Sequence, residues 1–364
     1  MDFYPDKILI IRLSSLGDIV LSYPLIHQLH RTFPRARIHF LVRPEYRELL
    51  ENHPFVDRVI TLNPSDGLPG LLQLRKDIRE QNYPVILDIH RNLRTFVLLA
   101  GSRFPLPLVR WLTGKPQIRV YRIRKQQIAR FLLVHFKINL YRQWYGRTLS
   151  VREKYLKTAQ PLGVPQSPEV FEFPYPLQYR TRARNILHSN GIDPPFVVMA
   201  PGSRHFTKRW PAEYFAQLAD LLYRNFQLKT VLVGGPEDQP VAREVLKHSR
   251  EKSIISLTGE LPLLFTVGVI HLSTAMVTND SGLMHIADAL QIPTLAIFGS
   301  TVKELGFFPL SSHSVVLENQ SLSCRPCSHI GRETCPKGHF RCMRELTPDM
   351  AWTKLLPLLK SSLK

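Results

Sequence analysis

The sequence predicts an α/β protein of two domains, each a doubly wound parallel β-sheet with helices on both faces. Three observations lead to this prediction. Short apolar runs typical of buried strands alternate with segments of helical periodicity, first over residues 7–89 and again over 197–298. Seven prolines lie between Pro161 and Pro195, which indicates a linker. The length of 364 residues suits two domains of ordinary size.

In the first half of the chain, the apolar run KILIIR at residues 7–12 indicates a buried strand. A small-residue turn follows it, and a helical pattern follows the turn. Residues 94–162 are mostly helical in pattern, with basic and aromatic residues mixed. The expected strands are 7–12, 37–42, 56–62 and 85–89, and the expected helices are 18–30, 44–52 and 70–81.

The second half repeats the alternation after the proline-rich linker, which a helical patch at 180–189 interrupts. We expect domains at 1–175 and 176–347, and a C-terminal helix at 348–364 that packs back on the first domain. Ligands of such folds bind at the carboxyl ends of the strands, here in the cleft between the domains. The expected strands are 197–200, 230–233, 254–257, 275–278 and 294–298, and the expected helices are 211–225, 240–249, 262–272 and 283–290.

The composition excludes several classes of protein. Hydrophobic residues make up 44% of the chain and charged residues 21%, which argues against disorder. Four cysteines are too few for a disulfide scaffold. No apolar run approaches the roughly 20 residues of a membrane-spanning helix, and the first residues lack the zones of a secretory signal. We therefore expect a soluble, cytoplasmic protein.

The net charge is strongly positive and unevenly placed. The chain has 48 Lys+Arg and 29 Asp+Glu, a formal charge of +19. Residues 89–152 contain 14 Lys+Arg and no acidic residue. Clustered positive charge attracts nucleic acid, an anionic membrane surface or an acidic substrate. A solvated basic face without a partner remains the alternative.

A polar turn reading RLSSLGD follows the first expected strand and opens the first expected helix. Gly17 is the only glycine in this turn, so the dinucleotide-binding fingerprint is absent. Asp18 at the helix start is typical of a capping residue. At the lip of a cleft the same carboxylate can act as a general base, and both interpretations remain open.

Three loops that follow strands of the second expected domain suit a phosphate-bearing ligand. APGSRHFTKRWP at 200–211 joins glycine, hydroxyls and cations. In VGGPED at 233–238, Glu237 or Asp238 can accept from ribose hydroxyls. TNDSGLMH at 278–285 indicates an anion-binding helix start. A basic loop, a turn with a cap, and a helix cap with a chance histidine are the respective alternatives. The candidates in the first and third loops are Ser203, Arg204, Thr207, Lys208, Asp280, Ser281, Gly282, Leu283 and His285.

All four cysteines lie within 19 residues, at Cys324, Cys327, Cys335 and Cys342. In a cytosolic chain this clustering favours a structural zinc site over disulfides, with His329 and His339 as further possible ligands. The spacing matches no standard zinc finger, so free buried thiols and disulfides stay open.

Taken together, KILIIRLSSLGDIVLSYPLIHQL, APGSRHFTKRWP, VTNDSGLMHIADAL and IPTLAIFG resemble the bacterial ADP-heptose:lipopolysaccharide heptosyltransferases, glycosyltransferase family 9. Their order and spacing agree over roughly residues 7–360, and TNDSGLMH is most similar to the heptosyltransferase II branch. The resemblance implies a GT-B architecture of two Rossmann-like domains facing across a cleft. It also implies metal-independent, inverting transfer of heptose from ADP-heptose onto Kdo or heptose of the lipopolysaccharide inner core.

The resemblance further assigns roles residue by residue. It makes Asp18 the general base and Lys208 the diphosphate-binding lysine, with Ser203 and Arg204 at neighbouring phosphate contacts. It places residues 280–283 at the donor-binding helix start and Glu237 near the ribose. No cofactor is required for catalysis, no specific nucleic acid is expected as a partner, and the protein is expected at the inner face of the inner membrane. The basic stretch becomes an acceptor-binding and membrane-docking face, with Arg91, Arg94, Arg119, Arg122 and Arg124.

Other function classes also fit parts of the sequence. The same fold serves other nucleotide-sugar enzymes, and fold alone does not separate them. A polyanion-binding or nucleic-acid-binding protein accounts for the charge, although no recognition module is visible. A membrane-surface protein without catalysis leaves the glycine-and-charge loops unexplained.

Overall fold

The computed structural model describes residues 4–100, 118–166 and 173–363. The chain divides into two compact units. The first comprises Met1–Lys125 and Val151–Pro174, and the second comprises Gln126–Ser150 and Tyr175–Lys364. Pro168 of the expected linker and residues 101–117 of the acid-free stretch lie outside the described residues.

The first unit contains a five-stranded parallel sheet in the order β3-β2-β1-β4-β5. Residues 8–11 of β1, the central strand, are fully buried, as expected for a parallel sheet covered on both faces. The strands are β1 (Lys7–Ile11), β2 (Arg37–Val42), β3 (Arg58–Thr61), β4 (Val85–Asp88) and β5 (Arg119–Arg122). The helices are α1 (Leu16–Val20), α2 (Tyr23–Thr32), α3 (Arg47–Glu51), α4 (Gly67–Glu80), α5 (Leu93–Leu98) and α8 (Val151–Ala159).

The second unit contains a six-stranded parallel sheet in the order β11-β10-β9-β6-β7-β8. Its strands are β6 (Phe196–Ala200), β7 (Lys229–Leu232), β8 (Ile254–Ser256), β9 (Ala275–Asn279), β10 (Thr294–Phe298) and β11 (Ser314–Glu318). Its helices are α6 (Gln127–Phe136), α7 (Tyr141–Tyr145), α9 (Leu177–Ser189), α10 (Ala212–Phe226), α11 (Gln239–His248), α12 (Leu263–Leu272), α13 (Gly282–Ala289), α14 (Arg341–Arg344) and α15 (Pro348–Ser362).

The fold class is confirmed, two local expectations are wrong, and one strand was not expected. The edge strand β5 lies in the segment expected to be helical, and the other edge strand, β11, was not among the expected strands. The expected helix at 18–30 is two helices, with a break at residues 21–22. Pro24 lies in the first turn of α2, where its missing N–H is tolerated, so the chain starts a new helix there.

The expected domain boundary is corrected, because residues 126–150 join the second unit. Ala129 and Leu133 of α6 and Tyr141 of α7 form a buried apolar cluster with Leu305. The Lys137 ammonium also donates to the carbonyl of Pro326 at 2.6 Å. This burial of apolar surface outweighs sequence proximity to the first unit.

The expectation for the C-terminal helix is also wrong. Helix α15 packs on the second unit, where Ala351, Leu355 and Leu359 are fully buried in the core beside α10. The Trp210 indole N–H donates to the carbonyl of Leu346 at 2.7 Å and anchors the chain just before the helix. Among the described helices, none is both long and apolar enough to span a bilayer.

Candidate functional site

Asp18 lies just beyond the carboxyl end of β1, in the first turn of α1. Its Oδ2 accepts from the backbone N–H of Ser15 at 3.2 Å and from the Ser15 hydroxyl at 3.0 Å. The capping role considered from the sequence is therefore real. Capping uses part of one carboxylate oxygen and does not exclude a chemical role.

Two other side chains hold the same carboxylate. The Arg12 guanidinium forms an ion pair with Oδ2, and the Tyr155 hydroxyl donates to Oδ1 at 2.9 Å. Arg12 is itself fixed by donation to the carbonyl of Ile89 at 2.9 Å. The Arg12 and Asp18 side chains are each only 13% exposed. We name this cluster of Arg12, Asp18 and Tyr155 the carboxylate cluster.

The carboxylate cluster keeps Asp18 ionised. Burial alone raises the pKa of Asp18, but the charge of Arg12, the Ser15 N–H and the Tyr155 hydroxyl outweigh it, so the pKa lies below its ordinary value. Burial raises the pKa of Tyr155 well above its ordinary value, so this phenol stays a proton donor. An ionised carboxylate that meets hydrogen-bond donors on both oxygens can accept a proton once a substrate hydroxyl reaches it.

The arginines expected to bind an acceptor do not form one group. The Arg122 guanidinium donates to the buried Asp88 carboxylate at 3.3 Å and stacks on the Phe96 ring at 4.3 Å. Arg91 donates its N–H to Asp88 at 2.7 Å and its guanidinium to the Ile123 carbonyl at 2.8 Å. Both side chains therefore serve the local structure around Asp88.

The other three arginines of that group are exposed but lie at different places. Arg119 is at the amino end of β5, three residues before Arg122, which is at the carboxyl end. That spacing separates the two positions by about 10 Å along the strand. Arg94 is exposed in α5, which follows the carboxyl end of β4, and Arg124 is exposed two residues past the carboxyl end of β5. They remain the candidates for an anionic acceptor group.

In the second unit, the loops after β6, β9 and β10 meet around one ion pair. The Lys208 ammonium lies 2.7 Å from the Asp280 carboxylate, and the Thr301 hydroxyl donates to the same oxygen at 2.7 Å. Lys208 is 15% exposed and Asp280 only 5%. We name Lys208, Asp280 and Thr301 the lysine cluster. It brings together two motifs that are 72 positions apart in the sequence.

Asn279 and two hydroxyl groups fix the loop that carries Lys208. The buried Asn279 amide donates to the Pro201 carbonyl at 2.7 Å and accepts from the Trp210 N–H at 2.9 Å. The Ser203 hydroxyl donates to the Asp280 carbonyl at 3.4 Å. The Thr207 hydroxyl donates to the Ser300 hydroxyl at 3.1 Å and also accepts a backbone N–H, so its hydrogen bonds are made within the protein. The loop geometry is thus set before any ligand binds.

The start of α13 presents partly exposed backbone beside the lysine cluster. Ser281 is the N-cap, and Gly282 and Leu283 form the first turn. A helix start offers free N–H groups and a positive dipole end, which suit a diphosphate. His285 is buried further along α13, with its ring 6.2 Å from that of Phe307, so it lies inside the packing of the unit.

The VGGPED loop follows β7, and the expected ribose contact of Glu237 stays a prediction. Glu237 is exposed, whereas Asp238 is half-buried and accepts the Gly235 N–H at 3.1 Å. A side chain at Gly202 would place its Cβ 2.1 Å from the Asp238 carboxylate. Burial raises the pKa of Asp238. The turn-and-cap interpretation therefore fits Asp238. On the neighbouring loop after β6, Arg204 is exposed.

Four residues of the two clusters and their surroundings were not selected from the sequence. Arg12 and Thr301 follow strands β1 and β10, so the strand-end rule could have found them. Arg209 neighbours Lys208 and donates to the Ser203 carbonyl at 2.7 Å. Tyr155 is 137 positions from Asp18, and no local pattern connects the two.

The four cysteines are free thiols in this structure. Cys324 Sγ lies 4.0 Å from His339 Nε2. Burial raises the pKa of Cys327 and raises that of Cys342 to about 12, so both thiols are protonated in the metal-free protein. Within the described ranges, no group of three or more His, Cys, Asp or Glu side chains is placed to hold a metal ion. The zinc site stays a prediction from spacing, and no chemical step is derived through it.

Known proteins match this chain over nearly its full length. Lipooligosaccharide heptosyltransferase 2 of Haemophilus influenzae is 27% identical over 372 aligned residues, covering 97% of this chain and 99% of that protein. The crystal structure of a family 9 glycosyl transferase from Veillonella parvula has a TM-score of 0.79 at 21% identity, covering 99% of both chains. ADP-heptose lps heptosyltransferase II of Escherichia coli has a TM-score of 0.73 at 23% identity, covering 98% of this chain and 100% of that one.

The structural neighbours agree with the architecture of two parallel-sheet α/β units. The sequence model of glycosyltransferase family 9 (heptosyltransferase) matches residues 71–337, which is most of the chain and includes the whole lysine cluster. This chain therefore belongs to glycosyltransferase family 9, the heptosyltransferases.

Proposed function

We propose that this glycosyltransferase moves heptose from ADP-heptose onto Kdo or heptose of the lipopolysaccharide inner core, with inversion at the anomeric carbon. The observation that carries the proposal is the family match over residues 71–337, together with relatives named heptosyltransferase 2 that align over 97% of the chain. The geometry of the two clusters supports the chemical roles.

The lysine cluster is proposed to hold the diphosphate of the donor. Asp280 balances the charge of Lys208 in the ligand-free protein and fixes its position. A bound diphosphate gains the Lys208 ammonium and the free N–H groups at the start of α13. Asp280 and Thr301 then act as positioning residues, since they set where the ammonium lies. Ser203 and Arg204 line the adjacent loop.

The carboxylate cluster is proposed to supply the general base. Asp18 takes the proton from the acceptor hydroxyl as that oxygen forms a bond to the anomeric carbon. The bond from the same carbon to the diphosphate oxygen breaks, and ADP leaves with the bonding electrons. Attack from the face opposite the leaving group inverts the anomeric configuration. The proton ends on Asp18, and the negative charge ends on ADP.

Stabilisation of the leaving diphosphate is proposed to be the larger catalytic contribution. One well-aimed donor to developing charge is worth about 3–4 kcal/mol. Lys208 and the α13 start are fixed before the reaction, so little reorganisation is needed as the charge grows. With these groups in place, the proposed reaction requires no divalent metal and no other cofactor.

The acceptor is proposed to be a lipid A molecule that carries Kdo or heptose in the inner leaflet of the inner membrane. Its carboxylates and phosphates suit the excess of cations in the acid-free stretch, which holds 14 Lys+Arg. Arg94 and Arg124 are the exposed candidates for these groups. We therefore place the enzyme in the cytoplasm, peripherally bound at the membrane surface.

Product analysis tests the proposal directly. Purified protein is mixed with ADP-heptose and a Kdo-containing lipid A acceptor, and the product is identified by mass spectrometry and by the anomeric coupling in NMR spectra. We expect one added heptose with inverted configuration, and we expect Asp18→Asn to bind ADP normally while turnover is lost. Another donor used in preference to ADP-heptose contradicts the substrate assignment. Near-normal turnover in Asp18→Asn contradicts the role of the base.

A gel-shift experiment separates the polyanion-binding alternative. A protein that only binds polyanions should bind nucleic acid with an affinity that falls steeply as the salt concentration rises, and it should transfer no sugar. Heptose transfer at physiological salt, unaffected by added nucleic acid, supports the enzyme.

A further inference from the structure

A group of exposed apolar side chains lies on helices α6 and α7 and the chain between them. Each side chain is between 46% and 67% exposed, although all are large and apolar. Clustering of this kind marks an interaction surface, whereas single exposed apolar residues are ordinary. We name the group the α6 surface; it consists of Ile128, Phe131, Phe136, Ile138 and Trp144.

Helix α6 is apolar on two opposite faces. One face, with Ala129 and Leu133, is buried against the second unit. The other face presents Ile128 and Phe131, one helical turn apart at positions i and i+3, and Phe136 is the exposed last residue of the helix. The Phe131 ring is 5.9 Å from the Phe136 ring. These side chains therefore form a continuous apolar ridge rather than scattered residues.

The segment that carries the ridge is cationic. Residues 126–150 contain four Lys+Arg and no Asp or Glu. The Lys137 ammonium donates to the carbonyls of Val134 and Pro326 at 2.7 and 2.6 Å, which anchors the end of α6 to the unit. Glu304 accepts from Asn139 at 2.9 Å at the margin of the segment. The segment thus keeps an excess of positive charge beside the ridge.

This combination selects one kind of partner. An apolar ridge with aromatic residues, flanked by cations, is typical of helices that lie in the headgroup region of a membrane. A second copy of the same face would bring two cationic segments together, and like charges oppose that contact. Anionic lipid headgroups instead match the charge while the acyl boundary accepts the ridge.

We propose that the α6 surface docks on an anionic lipid bilayer, with Phe131 and its neighbours in the headgroup–acyl boundary and the adjacent cations on lipid phosphates. This inference rests on the proposed function, in which the acceptor is anchored in the inner leaflet. It assigns membrane contact to α6 of the second unit.

Vesicle sedimentation without any acceptor tests the docking. The full chain is mixed with vesicles of phosphatidylethanolamine and phosphatidylglycerol, and separately with vesicles of phosphatidylcholine alone. We expect binding to the anionic vesicles that weakens with added salt. The double variant Ile128→Ser/Phe131→Ser should lose on the order of tenfold in partitioning for each side chain removed from the apolar boundary.

Leu246→Ser is the matched control, because Leu246 is a 39% exposed apolar residue on α11 of the same unit. Its binding should equal that of the wild type, and circular dichroism should show all variants folded. The proposal is overturned when the wild type does not bind anionic vesicles or when the double variant binds them as the wild type does. It is also overturned when the only effect of the double substitution is to convert a dimeric protein to a monomer.

Heptose transfer to a delipidated, soluble Kdo acceptor keeps the two proposals separate. The double variant should match the wild type with this acceptor and fall behind it only with acceptor embedded in vesicles. The docking role is overturned when the double variant loses transfer to the soluble acceptor while the wild type retains it. Absence of transfer by both proteins contradicts the proposed function and leaves the vesicle result as the measure of docking.

Discussion

Tyr155→Phe is the most informative single substitution, because it removes one hydroxyl from the carboxylate cluster and nothing else. That hydroxyl donates to Asp18 Oδ1 at 2.9 Å and favours the ionised carboxylate. A hydrogen bond to a charged group is worth about 1.5–3 kcal/mol. Part of this survives when the carboxyl is protonated, so we expect the pKa of Asp18 to rise by roughly one unit, or about 1.4 kcal/mol.

The assay is the pH dependence of kcat/KM for heptose transfer. An ionised base is required, so the acid limb of the profile should move to higher pH by about one unit in Tyr155→Phe. The KM for the donor should stay constant, since Tyr155 and the donor loops lie in different units. Tyr23→Phe is the control, because its buried hydroxyl donates to the Leu49 carbonyl at 2.9 Å in the same unit.

Stability provides an independent check with a defined sign. The folded-state pKa of Asp18 is lowered, so its ionised form stabilises the fold above the unfolded-state pKa, and this contribution is lost as the pH falls through the folded-state pKa. Tyr155→Phe should therefore lower the free energy of unfolding most at neutral pH and least in acid. An acid limb that stays in place, with a stability loss equal at all pH values, refutes the positioning role of Tyr155.

Three further predictions follow from the same contacts. Lys208→Met should weaken ADP binding by roughly ten- to hundredfold in calorimetry, because a hydrogen bond to a charged group is lost; unchanged affinity rejects the diphosphate role. Arg94→Gln/Arg124→Gln should raise the acceptor KM at constant stability, whereas Arg122→Gln should destabilise the fold by about 1.5–3 kcal/mol, because buried Asp88 loses its cationic partner and keeps only neutral donors such as the Thr95 hydroxyl; the reverse pattern rejects our division of the arginines. Elemental analysis tests the zinc predicted from the cysteine spacing: one zinc ion per chain agrees with it, and four titratable thiols without metal contradict it.

The sequence predicted the architecture well where the periodicity was strong. Central strands such as β1 and β6 are continuous apolar runs, because both of their faces are covered by helices. Edge strands gave weaker signals. Strand β5 reads RVYR, which mixes charge with apolar residues because an edge strand is only half enclosed. The helical assignment of residues 94–162 failed there for that reason.

Apolar packing, and not position in the sequence, decides which unit a segment joins. Sequence proximity placed residues 126–150 with the first domain, and α15 was expected to pack back on that domain, yet both pack on the second unit. From the sequence alone, the apolar faces of α6 and α15 could pack equally well on either unit. Only the shape of the available core, filled by Leu133 beside Leu305 and by Leu355 beside α10, decides between them.

The sequence alone determined the fold class, the strand-end loops and most of the residues at the lysine cluster, because parallel strands bring their carboxyl ends to one edge of a sheet. Tertiary structure alone decided which partners each side chain meets. It paired Asp18 with Tyr155 across 137 positions, turned Arg122 towards Asp88, and left Glu237 exposed. The physical reason is that hydrophobic patterns specify which residues are buried, whereas the ionisation and reach of a polar side chain depend on neighbours that only the folded chain provides.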